Sequence, residues 1–370
     1  MNSGKKLLFD KYIRRNPAVQ IKSLSSFGGC VVIPAWDELP QLPAVLKSIF
    51  EAEKSSGVAV LVVVNHPVGK DDGSSLETCD FLQKHPEYSK RLFFIYAPEI
   101  SGGVGEARKK GMDAYILSRG SEAAEQSIIF SLDADTLVDK NYFCRVTEAF
   151  AADTALSAVM IPYLHRCENS ENETAIRDYE YYLARYVSGL AAAGSPYAVQ
   201  TVGSAFACRA SSYIRCGGMK VKKAGEDFYF ICELIKTGTV ATLETPPLVY
   251  PSGRISGRTP FGTGTAVAKL AAGESLNWIS DESFVLLGKV LSLTAGAENL
   301  SDAKKFLDAL PVGCREFFEA EKFPEIWPKV LHNTPGTAAA RKKAFDRWFD
   351  GLKTLRFLHF VNSMRGSQTI

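Results

Sequence analysis

The sequence predicts a doubly wound α/β fold: a mainly parallel sheet flanked by helices, followed by a helical carboxyl-terminal extension. Three observations predict it. Short apolar segments alternate with stretches of helical periodicity from Cys30 to Asp139, the rhythm of βαβ units. The run Val58 to Val64 is apolar on both faces and rich in β-branched residues, as a strand in the middle of a parallel sheet must be. Beyond Ala271 the glycine-rich alternation gives way to helical periodicity alone, clearest over Phe284 to Leu293, Ala303 to Leu310 and Ala338 to Val361.

Taken in order, CVVIP (Cys30 to Pro34) is a first strand, and Glu38 to Glu53 a helix with Leu42, Val45, Leu46 and Ile49 at helical spacing. The second strand, Val58 to Val64, ends in the polar loop HPVGKDDGSS. A helical patch at Leu76 to Lys84 leads to a third strand, Arg91 to Tyr96, then to the glycine-rich loop Ser101 to Gly105 and a helix from Glu106 to about Ser118. The fourth strand, Ser127 to Leu132, stops at an acidic cluster, and Asp139 is placed to cap the helix after it. In such a sheet, ligands collect beyond the carboxyl ends of the strands, where every polar cluster named so far falls.

Composition narrows the function classes. The chain of 370 residues is 46% hydrophobic and carries 43 basic against 41 acidic residues, which gives a nucleic-acid binder no basic surface excess to work with. Eight cysteines stand without a CxxC pair and read as reduced structural thiols. The amino terminus lacks the apolar core of a signal peptide, and no apolar run reaches the ~18 residues of a membrane span. These features predict a cytoplasmic protein.

Three segments can carry chemistry. Asp133 and Asp135 stand two apart at a strand end. If the extended geometry persists, their side chains face one way and call for a hard divalent ion such as Mg²⁺ or Mn²⁺; the alternative is a pair of solvated cap residues. Glu226 and Asp227 open a helix whose apolar positions Phe228, Ile231, Leu234 and Ile235 would anchor it; the alternative is that they only complement the helix dipole. The stretch Tyr250 to Thr265 holds Arg254 and Arg258 among glycines and prolines, a candidate diphosphate clamp or else a solvated loop. GxGxxG and Walker A patterns are absent, which argues against a Rossmann dehydrogenase and a P-loop nucleotidase.

In sequence order, VVIPAWDE (Val31 to Glu38), SGGVGEARKKG (Ser101 to Gly111), FSLDADT (Phe130 to Thr136) and GEDFYF (Gly225 to Phe230) resemble the signature segments of family 2 glycosyltransferases. The resemblance runs from about Phe27 to Val267. It implies a GT-A fold over residues 28–270, after a lead-in of residues 1–27 and before a helical extension of residues 271–370, and a nucleoside-diphosphate sugar as donor, with inversion at the anomeric carbon. Carried over by position, it implies nucleoside contacts at Pro34, Ala35 and Glu38, with Arg108 near the nucleotide. Asp133 would face the ribose or the metal, Asp135 the metal, and Asp227 would be the base, with Glu226 as its neighbour and substitute. Two departures stand out. Asn65 holds the place of an aspartate that contacts the nucleobase in relatives, and Tyr250 to Gly253 lack the histidine that many relatives use as a further metal ligand.

The function expected is metal-assisted sugar transfer to an acceptor hydroxyl, with Asp135, the metal and Arg254 or Arg258 holding the leaving group while an ordinary ionised Asp227 takes the acceptor's proton. The arginines would equally serve a phosphorylated or lipid-linked acceptor. Rival readings are a sugar-phosphate nucleotidyltransferase, which lacks here its basic glycine-rich loop after the first strand, and a catalytically silent nucleotide-sugar-binding scaffold. The final helix, with Arg341, Lys342, Lys343, Arg347, Lys353 and Arg356 among Phe345, Trp348, Phe349, Leu352 and Phe357, would either lie on the inner face of a membrane or pack its rings on its own domain.

Overall fold

The apolar runs form one seven-stranded sheet in the computed structural model, which describes residues 3–366 apart from 71–72, 86–87, 89, 168–171, 223–224, 256–261 and 297. In chain order the strands are β1 (Gly29–Ala35), β2 (Val58–Pro67), β3 (Leu92–Ile100), β4 (Ile128–Ser131), β5 (Leu137–Val138), β6 (Leu156–Met160), β7 (Phe206–Arg209), β8 (Thr239–Thr242) and β9 (Val249–Tyr250). The sheet order is β3-β2-β1-β4-β7-β6-β8, while β5 and β9 pair separately. All sheet pairs are parallel except those of β7, which runs against both β4 and β6. As its composition predicts, β2 lies inside the sheet with Val58 to Val64 all buried.

The chain divides into two units, Met1–Tyr179 with Thr201–Glu274, and Glu180–Gln200 with Ser275–Ile370. The helices are α1 (Ser3–Arg15), α2 (Leu42–Glu51), α3 (Ser74–Gln83), α4 (Val104–Ala123), α5 (Tyr142–Ala152), α6 (Glu173–Ala192), α7 (Ala210–Arg215), α8 (Glu226–Thr237) and α9 (Thr263–Ala271). The rest are α10 (Asp281–Ser292), α11 (Ala303–Ala309), α12 (Arg315–Ala320), α13 (Phe323–His332), α14 (Ala338–Trp348) and α15 (Gly351–Gly366). The second unit is helical and takes in residues 180–200 as well as the tail.

Several boundaries differ from the sequence expectation for local reasons. The helix expected from Glu38 begins at Leu42, because Asp37 adopts φ 52° and the Glu38 carbonyl accepts from the Gln41 and Leu42 amides in a turn. The expected end near Ser118 coincides with a break in α4, where Gly120 takes φ 72°. Asp139, expected to cap α5, does not: the N-cap is Asn141, and Asp139 Oδ1 instead accepts from the Asn141 amide at 2.8 Å in the turn before the helix. The single terminal helix expected over Ala338 to Val361 is two, since Phe349 leaves helical geometry and Asp350 Oδ1 accepts from the Lys353 amide at 3.2 Å to start α15.

In the second unit Phe306, Phe318, Phe323, Trp327 and Phe345 are wholly buried, with Phe323 stacked on Trp327 at 5.2 Å. Phe345, Phe349 and Phe357 belong to that core, so the rings of the basic terminal helices are packed within their own unit. Among the described residues no helix is long and apolar enough to cross a membrane.

In the first unit, α4 meets β1 and β2 at Gly111, where an added Cβ would lie 2.5 Å from Val32 Cγ1 and 2.8 Å from Val63 Cγ2. Both neighbours are stiff β-branched side chains. Gly111→Leu is expected to lower the unfolding free energy by about 2 kcal/mol, since overpacking against two stiff neighbours costs ~3 kcal/mol, the upper end of the usual range, and a helical glycine's replacement returns only ~1 kcal/mol. A urea denaturation midpoint equal to that of the parent would refute this close approach. The contact matters because α4 also carries Arg108 into the crevice between β1 and β4, where the strand order reverses.

Candidate active site

Beyond the carboxyl ends of β1, β2 and β4 lies a cavity of about 450 Å³, within the range of small-molecule sites. It brings together Pro34, Glu38, Asn65, Arg108, Asp133, Asp135, Glu226, Asp227 and Arg254 on its walls. Ala35 lies beneath them, 2% exposed in β1, and its carbonyl accepts from Asn65 Nδ2 at 3.2 Å. Arg258 falls in 256–261, outside the described residues.

The acidic segment after β4 is a turn, closed by the Thr136 amide donating to the Asp133 carbonyl at 3.1 Å. The extended geometry that would have aimed both aspartates one way does not persist. Asp133 Oδ1 accepts from Arg108 Nη2, whereas Asp135 Oδ2 lies 3.2 Å from Arg254 Nη2, which also donates to Glu38 Oε1. Arg166 secures the turn, donating from Nη2 to the Asp135 carbonyl at 2.7 Å and from Nε to the Tyr250 carbonyl at 3.3 Å.

At the opposite wall, Gly225 takes φ 68° and lets the chain enter α8 with two carboxylates in its first turn. The helix is anchored by Phe230, Ile231, Cys232 and Leu234; Phe228 and Ile235, expected on that face, are only partly buried. Asp227 Oδ1 accepts from the Phe228 amide at 2.8 Å. Burial, followed by the neighbouring Glu226 carboxylate, pushes Asp227 up to about 7, against the pull of Arg108. The ordinary aspartate expected from the sequence is therefore corrected: its surroundings favour the protonated form.

Two wall residues and a neighbour of one of them went unnamed in the sequence. Trp36 follows β1 into the cavity. His165, 2% exposed, also lines it, with Nε2 3.3 Å from Thr263 Oγ1. Arg166 is its neighbour. The segment Tyr163 to Arg166 follows β6 and bridges to Val249 and Ser252, so a histidine sought in Tyr250 to Gly253 stands instead on the adjacent stretch. Its signal was a polar cluster just past a strand.

Among the described lining residues, five are carboxylates (Glu38, Asp133, Asp135, Glu226 and Asp227) and two are guanidiniums (Arg108 and Arg254). Among the described residues no three His, Cys, Asp or Glu side chains converge to hold a metal ion by themselves. The Arg254 guanidinium already seated between Glu38 and Asp135 marks that side as one that accepts a cation.

Residues 30–213 match the family model described as Glycosyl transferase family 2. Among curated proteins, none matches the sequence. Similar solved structures include S. aureus TarS 1-349 in complex with UDP-GlcNAc, 14% identical over 86% of this chain and 89% of that chain, with TM-score 0.44. The mannosyltransferase PcManGT from Pyrobaculum calidifontis in complex with GDP-Man and Mn²⁺ is 15% identical over 95% of each chain, with TM-score 0.42. M. tuberculosis glucosyl-3-phosphoglycerate synthase is 13% identical over 70% of this chain and 88% of that chain, with TM-score 0.38. The family match takes in three of the four segments that carry the sequence resemblance, so residues 30–213 bear out the resemblance to glycosyl transferase family 2.

Proposed function

We propose that the protein transfers a sugar from a nucleoside-diphosphate sugar to an acceptor hydroxyl with inversion, Asp227 serving as the base. The observation that carries this reading is that Asp227 and the acidic turn after β4 share one cavity. The acceptor oxygen attacks the anomeric carbon while the bond from that carbon to the β-phosphate oxygen breaks. The acceptor's proton goes to Asp227, and the nucleoside diphosphate departs with the bonding electrons. Arg254 is proposed to hold phosphate oxygens, while Pro34, Glu38 and Asn65 are proposed to seat the nucleoside.

Charge balance supports a divalent cation in this reaction. The described walls already carry more carboxylates than guanidiniums, and a diphosphate adds further negative charge. Asp135, with Asp133 beside it, would hold the ion, whose charge would offset the negative charge developing on the leaving group.

The test is a thermal-shift screen against UDP, GDP, CDP and dTDP, with and without Mn²⁺. A nucleotide present at about 100 times its Kd should stabilise the protein by ~2.7 kcal/mol. The expected result is a shift with one or two of them that needs the metal and is lost in Asp135→Ala. A screen in which no nucleotide shifts the wild-type protein under either condition would overturn the reading.

A further inference from the structure

One side chain in the cavity touches both of its chemical ends. Arg108 is 3% exposed; its Nη2 donates to Asp133 Oδ1, and its Nη1 lies 3.7 Å from Glu226 Oε1. Its Nε and Nη1 make no hydrogen bond. A guanidinium buried with donors unused costs free energy unless carboxylates face it, and removing either carboxylate leaves charge uncompensated.

The backbone is shaped for this arrangement. A Cβ on Gly203 would lie 2.7 Å from Arg108 Nη2 and 3.0 Å from Cζ, so the guanidinium lies against bare main chain. The Gly203 carbonyl accepts from Ser131 Oγ at 2.7 Å, which fixes that stretch to β4. On the far side, a Cβ on Gly105 would lie 2.7 Å from Glu226 Cβ. Two glycines distant in sequence thus make room for one ion pair.

We infer that Arg108, seated against Gly203, is a positioning residue that couples the nucleotide end of the cavity at Asp133 to the base end at Glu226 and Asp227. What the two ends bind rests on the transferase reading; the coupling itself does not. Asp133 and Glu226 compete for a single guanidinium, so a ligand that draws Arg108 toward the acidic turn loosens its hold on Glu226. By reciprocity, a change at Glu226 alters affinity at the turn. The positive charge of Arg108 also lowers the proton affinity of Asp227, which ties the base to the same guanidinium. Lysine lacks the planar fork that turns Nη2 toward Asp133 and Nη1 toward Glu226, so it cannot reproduce this arrangement.

The coupling is measured on the full chain by a double-mutant cycle of Asp133→Asn and Glu226→Gln, first in the parent and then in Arg108→Met. In the parent the two Tm shifts should depart from additivity by about 2 °C or more, and in Arg108→Met they should add. Should Arg108→Met not fold, Gly203→Ala, which displaces the guanidinium without removing it, takes its place as the background. Affinities for UDP and GDP with Mn²⁺ give a readout that a merely structural role would not move. Glu226→Gln should tighten the bound nucleotide about fivefold, and this gain should vanish in Arg108→Met and not be restored by Arg108→Lys. Additive Tm shifts in the parent, or a nucleotide gain that persists without Arg108, would overturn the inference. If neither UDP nor GDP binds the parent, CDP and dTDP take their place; if none of the four binds, the transferase reading fails while the Tm cycle still decides the coupling.

Discussion

Replacing Asp227 by asparagine is expected to lower turnover by about 10²–10⁴-fold, the usual worth of a positioned general base, while nucleotide binding stays close to that of the parent. Asparagine keeps the shape of the side chain and the hydrogen bond its Oδ1 accepts from the Phe228 amide, but an amide oxygen cannot take up the acceptor's proton at neutral pH. The measurement is nucleoside diphosphate released per enzyme, alongside a thermal-shift titration with the same nucleotide. Glu226→Gln serves as the comparison, since Glu226 is buried and lies 3.7 Å from Arg108 Nη1, where it is better placed to orient than to abstract. A full loss in Glu226→Gln with normal turnover in Asp227→Asn would reverse the two roles.

The second large effect is on pH. Because burial and Glu226 push Asp227 up to about 7, the free enzyme holds the base largely protonated in mildly acid solution. The acid limb of kcat/KM should therefore rise with pH and reach half its plateau near pH 7, whereas an unperturbed aspartate would place that limb near ~4. The sign for stability is opposite. Between about pH 4 and pH 7 the folded state retains a proton that the unfolded state has released, so the Asp227 contribution makes stability fall as pH rises through that window. Above it, Asp227→Asn should be more stable than the parent, because the amide carries no charge to bury. An acid limb centred near pH 4, together with identical pH–stability curves for parent and variant, would show that the carboxyl is not perturbed.

The first half of the fold was legible because its strands are long, apolar and joined by local helices. β1, β2 and β4 and the helix bearing Arg108 can be read from periodicity alone. β6, β7 and β8 could not, because β7 is inserted antiparallel between strands far from it in sequence and β8 has no buried residue to mark a core face. The site divides the same way. Strand-end residues such as Pro34, Asn65, Asp133 and Asp135 could be named because the topology dictates where such positions meet. The partners of Asp133 and Asp135, by contrast, are settled by side-chain packing between segments that are not neighbours in sequence: Arg254 lies 119 residues from Asp135 in the chain. Asp227 could be named as a carboxylate at a helix start, but its proton affinity depends on burial, which no local pattern of residues encodes.

The four tryptophans are distributed in a way that matters for spectroscopy. Trp36 lines the cavity of the first unit, while Trp278, Trp327 and Trp348 belong to the second, where Trp327 is wholly buried. Indole emission responds to the polarity around the ring and to nearby quenchers. The protein therefore carries a built-in optical reporter at the mouth of its chemistry and a separate group of reporters in its helical unit. With Trp36 replaced by phenylalanine, the remaining emission follows the second unit alone, so the melting of the two units can be resolved by colour without attaching a dye.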